Sequence, residues 1–292
     1  MSDQPWTVRR VLEWTSGFFS RKGVDSPRLS AELLLAHVLE LPRIRLYTDY
    51  DRELPAATLE RFRELVRRAG EHEPIAYLTG RAQFFSLDLA VTPDVLIPRP
   101  DTETLVENAI QFARHTVGME SPRVLDLCTG SGCIAIAVAS GLKSATVVAT
   151  DISQAALAVA ACNAQKAGVN GRITFLCGDL FDALPDARPF DLVLANPPYI
   201  ATEKIAGLDR NVRDFEPRMA LDGGADGLTV IRRIVSAAPR YLSPGGRLYV
   251  EVAFDQGEAA RAMASAEASL ADVRILKDNA GHDRVLTAQR RP

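Results

Sequence analysis

The sequence predicts an α/β protein, in which a mostly parallel sheet flanked by helices follows a small helical bundle. From Val124 onward, short apolar runs alternate with helical patterns, which is typical of a parallel sheet. Before residue 80, apolar residues recur at helical spacing with charged residues between them. The 292 residues are long enough for two domains, and 47% hydrophobic with 24% charged residues is ordinary for a globular protein.

The first 80 residues read as a helical bundle. One helical pattern includes Val8 and Phe19, a second opens at Ser26-Pro27, and a third follows Pro55. The third carries a cluster of arginines on its polar side, formed by Arg61, Arg63, Arg67 and Arg68. Glutamates interleave with these arginines, so a solvated helix face is the favoured interpretation. A contact surface for an RNA-bearing or acidic partner is the alternative.

Residues 81–100 are predicted to form a β connection, because Leu87, Leu89 and Val91 alternate with other residues. Asp101 or Thr102 can cap the helix that follows. The sheet strands are then predicted at Val124–Cys128, Ala145–Thr150, Ile173–Leu176, Phe190–Ala195, Arg247–Val252, Val273–Leu276 and Arg284–Ala288. The intervening helices are predicted at Ile134–Ala139, Gln154–Ala167, Leu228–Leu242 and Glu258–Ala268.

Composition narrows the class of protein. The net charge of -3 gives no overall attraction to nucleic acid. The four cysteines, Cys128, Cys133, Cys162 and Cys177, form no CxxC pair and show no zinc spacing, which indicates reduced thiols in a cytosolic protein. No apolar run follows Arg9 and Arg10, and none reaches the ~18 residues of a membrane span. These features predict a cytoplasmic protein with no signal peptide, membrane partner or metal. We expect a monomer, although composition does not give the oligomeric state.

One apolar strand stops abruptly at Asn196-Pro197-Pro198-Tyr199. Proline lacks the N–H that a sheet ladder needs, and it forces the preceding residue into an extended conformation. Asn196 is therefore aimed off the strand tip, where ligands bind in open α/β sheets. Asn196 and Tyr199 are candidates for holding a reacting group, with a simple strand-ending turn as the alternative.

A glycine turn follows the first sheet strand, from Asp126 to Gly132. Glycines allow close approach of the backbone to a ligand, and the helix that follows presents free N–H groups. About twenty residues later Asp151 ends the second strand, where an acid can accept both hydroxyls of a ribose. Together these features predict an adenosine-containing cofactor. The pattern Gly130-x-Gly132-x-x-Ala135 fits the dinucleotide-binding fingerprint, which favours a nicotinamide dehydrogenase. A site for S-adenosylmethionine needs the same turn and acid, so a methyltransferase is the other interpretation.

Three segments of this sequence resemble motifs I, II and IV of class I methyltransferases that act on planar nitrogens. These segments are Asp126-x-x-x-Gly130-x-Gly132, Asp151 and Asn196-Pro197-Pro198-Tyr199. Two further segments narrow the resemblance to the HemK/PrmC family of peptide chain release factor glutamine N5-methyltransferases: Glu73-Pro74-x-x-Tyr77-Leu78-Thr79-Gly80 and Ile97-Pro98-Arg99-Pro100-Asp101-Thr102-Glu103. The resemblance covers nearly the whole chain. It departs from the family at Cys128, where glycine is usual, and at Leu180, where an aromatic residue is frequent.

The resemblance implies a Rossmann-like class I methyltransferase domain at 101–292 with a mostly parallel seven-stranded sheet. It also implies an N-terminal substrate-binding domain at 1–80 and a β-hairpin connection at 81–100. S-adenosyl-L-methionine would be the cofactor and S-adenosyl-L-homocysteine the product. The implied cofactor-binding residues are Asp126, Cys128, Thr129, Gly130, Ser131, Gly132, Asp151, Asp179, Leu180 and Asn196. The implied catalytic residues are Asn196, Pro197 and Tyr199, and those implied to bind substrate are Asn196, Pro197, Pro198, Tyr199 and Arg99.

The implied reaction is methyl transfer to the side-chain amide nitrogen of the glutamine in the Gly-Gly-Gln motif of class-one peptide chain release factors. An amide nitrogen is a poor nucleophile, and the Asn196 side-chain oxygen and the Pro197 carbonyl could accept its two N–H groups. No direct contact with nucleic acid is required. A ribosomal-protein glutamine methyltransferase and an adenine-N6 nucleic-acid methyltransferase are the alternatives, and the balanced charge disfavours the second.

Overall fold

The computed structural model describes residues 5–184 and 188–292. Its contacts divide the chain into two units. The first comprises the described part of Met1–Arg81 together with Asp209–Phe215, and the second comprises Ala82–Leu208 and Glu216–Pro292. Contacts thus group residues 82–100 with the second unit. The functional division at residues 80 and 100 stays a prediction.

The first unit is a helical bundle. Its helices are α1 (Val8–Lys22), α2 (Pro27–Leu39), α3 (Arg45–Thr48), α4 (Ala56–Gly70), α5 (Ile75–Thr79) and, from the separate segment, α9 (Arg210–Arg213). Thr7 caps α1 through its hydroxyl, and Gly23 ends the helix in the left-handed conformation. The apolar faces of α1, α2 and α4 share one core that includes Leu12, Leu34 and Phe62.

A hairpin of β1 (Arg81–Phe84) and β2 (Leu87–Ala90) follows, and all its residues except Arg81 belong to the second unit. The sheet strands are β3 (Arg123–Leu127), β4 (Thr146–Asp151), β5 (Ile173–Cys177), β6 (Phe190–Ala195), β7 (Leu242–Glu251), β8 (Leu270–Lys277) and β9 (Asp283–Arg290). The helices are α6 (Thr102–His115), α7 (Cys133–Gly141), α8 (Gln154–Lys166), α10 (Thr229–Tyr241) and α11 (Gly257–Ala266). Within the described residues, these seven strands form one sheet of order β5-β4-β3-β6-β7-β9-β8.

The sheet is mostly parallel, as the sequence predicted. Strands β3 to β7 pair in parallel, and β9 runs antiparallel to both β7 and β8. Side chains alternate between two buried faces, so that Val124 packs with α6, α7 and α8 while Leu125 packs with α10 and α11. The order of strands reverses at β3, whose neighbours are β4 and β6, and the carboxyl edge at such a switch point is where ligands bind.

Two local predictions are corrected. The sequence predicts a strand beginning at Arg247, but β7 begins at Leu242, which pairs with Phe190. Arg247 pairs with Leu192, so the Pro244-Gly245-Gly246 segment forms an irregularity between these two pairs, with Gly245 at a φ of 78°. Asp101 occupies the N-cap position of α6 without a side-chain capping hydrogen bond. Its carboxylate instead pairs with Arg284 at 3.1 Å, a tertiary contact that local sequence cannot show.

Candidate active site

A cavity of about 330 Å³ lies at the carboxyl ends of β3, β4 and β6. The parallel register places Leu127, Thr150, Ala195 and Val250 in one row across the sheet. The residues that directly follow this row are Cys128, Asp151, Asn196 and Glu251. The first three line the cavity. Sheet register therefore brings together the three predicted motifs, which lie far apart in the sequence.

The glycine turn forms one wall of the cavity through Thr129, Gly130 and Ser131. Gly130 has a φ of 53°, and a Cβ built on it would meet no atom within 4 Å. Gly132 has a φ of 81°, and its Cβ would lie 3.0 Å from Ala160 on α8. Gly130 therefore leaves open space in the turn, whereas Gly132 allows α7 and α8 to approach closely.

Asp126 is fully buried at the base of the turn. Its Oδ2 accepts hydrogen bonds from the Thr129 hydroxyl at 2.6 Å and from the Ala135 N–H at 3.2 Å. Its Oδ1 has no hydrogen-bond partner among the described residues. Burial raises the pKa of this carboxyl to about 7, against the effect of these two hydrogen bonds. Asp126 orders the turn but does not itself line the cavity.

Asp151 joins the turn to the second strand. Its Oδ2 accepts the Gly130 N–H at 2.8 Å, and its Oδ1 accepts the Ser153 N–H at 2.9 Å. Burial raises the pKa of Asp151, and the backbone donors oppose that rise. Each oxygen retains a further acceptor position, so the carboxylate can bind two hydroxyl groups.

The two departures from the family pattern share one backbone property. Cys128 has a φ of 58° and Leu180 a φ of 51°, both in the left-handed region. That region favours glycine, so the backbone is strained at both residues. Cys128 lines the cavity and packs against the core under α10 and α11, where burial raises the pKa of its thiol. Leu180 is buried and also lines the cavity.

Asp179 lines the cavity and pairs with Arg233 of α10. The distance between Arg233 Nη2 and Asp179 Oδ2 is 2.9 Å, and both side chains are nearly half exposed. Water screens such a pair, so it contributes little to stability and leaves the carboxylate accessible.

Four side chains from three elements form a hydrogen-bonded chain around Asn196. Nδ2 of Asn196 donates to the Thr102 hydroxyl at 3.1 Å, and that hydroxyl donates to Oε2 of Glu251 at 2.6 Å. The Tyr199 hydroxyl donates to Oε1 of Glu251 at 3.1 Å. Glu251 is fully buried, and burial raises its pKa. The first and last residues of the Asn196–Tyr199 turn are thus tied to one buried carboxyl.

The chain after the turn packs directly on it. A Cβ on Gly223 would lie 2.8 Å from the Pro198 carbonyl, and one on Gly227 would lie 2.4 Å from the Tyr199 carbonyl. Nε2 of Gln256 donates to the same Tyr199 carbonyl at 2.8 Å. The glycines after the motif therefore allow a close backbone contact that supports the turn.

Arg99 lines the cavity and forms an ion pair with Glu216. Nη2 of Arg99 lies 2.5 Å from Oε1 of Glu216, whose side chain is 1% exposed, while Oε2 of Glu216 accepts the Ile97 N–H. Glu103 accepts the Phe85 N–H at 2.7 Å and so joins α6 to the hairpin. Arg99, which the resemblance implies binds substrate, therefore lines the cavity, whereas Glu103 joins α6 to the hairpin.

The predicted site residues divide into two groups. Those that line the cavity are Arg99, Cys128, Thr129, Gly130, Ser131, Asp151, Asp179, Leu180, Asn196 and Pro198. Asp126, Gly132, Pro197 and Tyr199 are not among the lining residues. Tyr199 has its ring against the core under α10 and α11. The Pro197 carbonyl accepts no hydrogen bond from any described residue.

Sequence reasoning missed several contacts at the site. The sequence pattern indicates Thr102 only as a helix cap, and it does not single out Glu251, Arg233 or Asn163. Glu251 ends its strand as Asp151 does, and that shared signal could have revealed it. Asn163 is a buried amide in an alanine-rich helix, and it bonds the Ser131 carbonyl and the Ala90 backbone.

Comparison with known proteins decides among the methyltransferases and dehydrogenases that share this geometry. A PrmC N-terminal domain model matches residues 10–80, and a methyltransferase small domain model matches residues 103–209. The chain is 43% identical over 290 residues to the release factor glutamine methyltransferase of Rhodopirellula baltica, covering 99% of this chain and 98% of the relative. The chain belongs to the release factor glutamine methyltransferase family.

A second relative agrees with this membership, and a solved structure agrees with the fold. The family's enzyme from Geobacter sulfurreducens is 45% identical over 288 residues, covering 98% of each chain. The crystal structure of a methyltransferase from Pyrococcus furiosus shares the fold, with a TM-score of 0.52 and 17% identity over 77% of this chain and 96% of that chain. The predicted family resemblance and Rossmann-like fold are confirmed, and S-adenosylmethionine is the cofactor of this family.

The cavity of this family member fits that cofactor. Gly130 leaves open space beside its backbone, and Asp151 offers free acceptor positions on both carboxylate oxygens. The methyl donor carries hydroxyl and ammonium donors that suit such acceptors. No cluster of three or more potential metal-ligating side chains and no helix able to cross a membrane occurs in 5–184 and 188–292.

Proposed function

We propose that this chain transfers a methyl group from S-adenosylmethionine to the side-chain amide nitrogen of a glutamine in a peptide chain release factor. The observation that carries the proposal is the position of Asn196. Its amide lies at the cavity edge, one residue past the strand row that also positions Asp151. Membership of a family whose relatives bear this activity in their names supports the choice of substrate.

The cofactor would be held by the glycine turn and by the acids around it. Asp151 would accept the ribose hydroxyls, Gly130 would allow close approach of the backbone, and Leu180 would provide an apolar wall. Asp179 would accept hydrogen bonds from the adenine side of the cavity. The cofactor supplies an electrophilic methyl group on a sulfonium, so the chain needs no strong general base. Its task is alignment and electrostatic complementarity.

Asn196 and Pro197 would hold the substrate amide through its two N–H groups. Because Nδ2 of Asn196 donates to Thr102, the Oδ1 of Asn196 is left as the acceptor. The Pro197 carbonyl has no partner among the described residues and can be the second acceptor. Two acceptors favour positive charge on the amide nitrogen as it attacks, which lowers the barrier. The new N–CH3 bond forms as the sulfur–methyl bond breaks, S-adenosylhomocysteine is the leaving group, and the nitrogen then releases one of its two protons to water. The Pro198 side chain, which lines the cavity, would pack against the flat amide. Tyr199, whose ring packs against the core, would hold the turn in place through its hydrogen bond to Glu251.

The partner would be the Gly-Gly-Gln segment of a class-one release factor, bound through Arg99 and the Asn196–Tyr199 turn. The helical unit formed by α1, α2 and α4 would contact the body of that protein. Such an enzyme would act as a cytoplasmic monomer and would need no nucleic acid.

The test is transfer of labelled methyl groups from S-adenosylmethionine to three separate acceptors: a release factor, ribosomal protein and DNA. We expect label only on the release factor, on the glutamine of its Gly-Gly-Gln motif by mass spectrometry. Replacing that glutamine by glutamate in the substrate should abolish labelling. Asn196→Ala should lose at least 100-fold in rate, about 3 kcal/mol of transition-state stabilisation, while the exposed Glu107→Gln serves as the control. Label on ribosomal protein or DNA alone would contradict the proposal.

A further inference from the structure

The Thr102 hydroxyl has one proton and two polar neighbours. It lies 2.6 Å from Oε2 of Glu251 and 3.1 Å from Nδ2 of Asn196. A carboxylate oxygen only accepts and an amide NH2 only donates, so the hydroxyl must donate to Glu251 and accept from Asn196. In the opposite orientation of the amide, the hydroxyl of Thr102 would have to donate its proton to Oδ1 of Asn196. The hydroxyl oxygen would then face the carboxylate of Glu251 with no proton between them. The charge on Glu251 therefore determines which atom of Asn196 faces the cavity.

The same carboxylate also determines the position of Tyr199. Its other oxygen accepts the Tyr199 hydroxyl at 3.1 Å, so Glu251 holds both ends of the turn. Glu251 and Thr102 are 0% and 1% exposed, and water does not compete for these hydrogen bonds. Glu251 and Asn196 are close because each follows one residue of the last pair between β6 and β7, Ala195 and Val250.

The charged surroundings favour the ionised form of Glu251 against the effect of its burial. Arg284 on β9 is the cation that faces it, and Arg284 also pairs with Asp101 at 3.1 Å and with Asp278 at 3.2 Å. Asp101, at the start of α6, opposes ionisation, while the Thr102 and Tyr199 hydroxyls favour it. Protonated Glu251 could donate a proton of its own to Thr102, and the hydroxyl would then be free to donate to Asn196.

We propose that Glu251 and Thr102 are positioning residues, which together orient the Asn196 amide so that its oxygen faces the substrate nitrogen. The proposal rests on the proposed role of Asn196 in holding the substrate amide. Neither residue needs to touch the reacting atoms. Glu251 acts when ionised, through Thr102 on one side and Tyr199 on the other.

The principal test is the matched pair Thr102→Val and Thr102→Ser. Valine has the shape of threonine but neither accepts from Asn196 nor donates to Glu251, whereas serine does both. We expect Thr102→Val to lower kcat about 10- to 50-fold, the effect of losing a buried hydrogen bond in the transition state. We expect its Kd for S-adenosylmethionine to stay within twofold, and Thr102→Ser to stay within threefold of wild type in kcat. Thr104→Val, the same change at a buried position on the same helix, is the control.

Coupling to Asn196 and the pH profile separate positioning from a general structural effect. Adding Thr102→Val to Asn196→Ala should slow the reaction by less than twofold, because the oriented group is already absent. The single-turnover rate of wild type and Thr102→Ser should fall in one step as acid protonates Glu251. Thr102→Val should have a lower plateau and a smaller acidic step, because Glu251 then acts only through Tyr199. If Thr102→Val does not fold, Glu251→Gln serves instead, with a rate about tenfold lower and no acidic step.

The outcomes distinguish this inference from the proposed function. If Asn196→Ala is inactive and Thr102→Val keeps kcat within threefold of wild type, the positioning role is wrong and the proposed function stands. An acidic step retained in Glu251→Gln also overturns the positioning role. If Asn196→Ala turns over at the wild-type rate, the proposed amide clamp itself fails.

Discussion

The Gly130 N–H donates a 2.8 Å hydrogen bond to Oδ2 of Asp151, across 21 residues of sequence. The glycine turn and the second-strand acid are thus one structural unit. The bond fixes the carboxylate at the cavity wall, and a second backbone donor, from Ser153, fixes its other oxygen. A carboxylate held in this way is already oriented for the two hydroxyls of a ribose, so little ordering is needed on binding.

We expect Asp151→Asn to weaken cofactor binding about 10- to 100-fold, since the amide NH2 must face a backbone N–H and also replaces one ribose acceptor. Isothermal titration with S-adenosylmethionine and with S-adenosylhomocysteine measures this, with Glu107→Gln as the control. We expect the same loss of affinity for both ligands, because the carboxylate would contact the ribose, which both ligands contain. An unchanged Kd would contradict the assignment of Asp151.

Cys128 provides a test of backbone strain. Cys128→Ala and Cys128→Gly both remove the thiol, but only glycine also relieves the φ of 58°. We expect the glycine variant to exceed the alanine variant by about 1 kcal/mol in free energy of unfolding. Urea denaturation without cofactor gives the two values. A glycine variant less stable than the alanine variant would show that the turn carries no such strain.

Burial of Asp126 predicts a pH-dependent stability difference. Its pKa in the folded protein is about 7, above the ordinary 3.8, so folding favours the protonated form. Its contribution to stability is complete below pH 3.8 and is lost as pH rises through about 7. Because the Asp126→Asn side chain cannot ionise, the free energy of unfolding of this variant should rise relative to that of wild type as pH rises. The relative gain is at most about 4 kcal/mol at pH 8.

Urea denaturation of both proteins at pH 5 and pH 8, without cofactor, tests the Asp126 prediction. Asparagine can keep both existing hydrogen bonds, because a single oxygen accepts them. The exposed Glu107→Gln should show no comparable change with pH. A stability difference between Asp126→Asn and wild type that is equal at both pH values would refute the assigned pKa.

The Arg99–Glu216 pair is predicted to be structural as well as functional. Arg99→Ala leaves the buried Glu216 without its cation, which should cost about 1–3 kcal/mol of stability, less than for a fully buried pair because Arg99 is 33% exposed. In a double-mutant cycle with Glu216→Gln, a coupling energy of about 1 kcal/mol or more is expected. Thermal and urea unfolding measure it. Independent effects of the two substitutions would leave only the cleft role for Arg99.

The fold and the location of the site could be predicted because their signals are local. Prolines that end a strand at Asn196, glycines that turn after Asp126, and an acid that ends a strand at Asp151 each act on neighbouring backbone. The carboxyl ends of parallel strands share one edge, so these three motifs had to meet. The strained φ of Cys128 and Leu180 was not predicted, because it depends on the path of the backbone on both sides.

The amino-acid sequence by itself determined which motifs face the cavity and which family the chain resembles. Only the tertiary structure decided what holds those motifs in place. Glu251 meets Thr102 across 149 residues, and Thr102 meets Asn196 across 94. Such contacts arise from strand register and from the packing of α6 at the end of the sheet, which no local pattern encodes. The orientation of the Asn196 amide is a property of that packing, because one hydroxyl proton and one buried charge determine it.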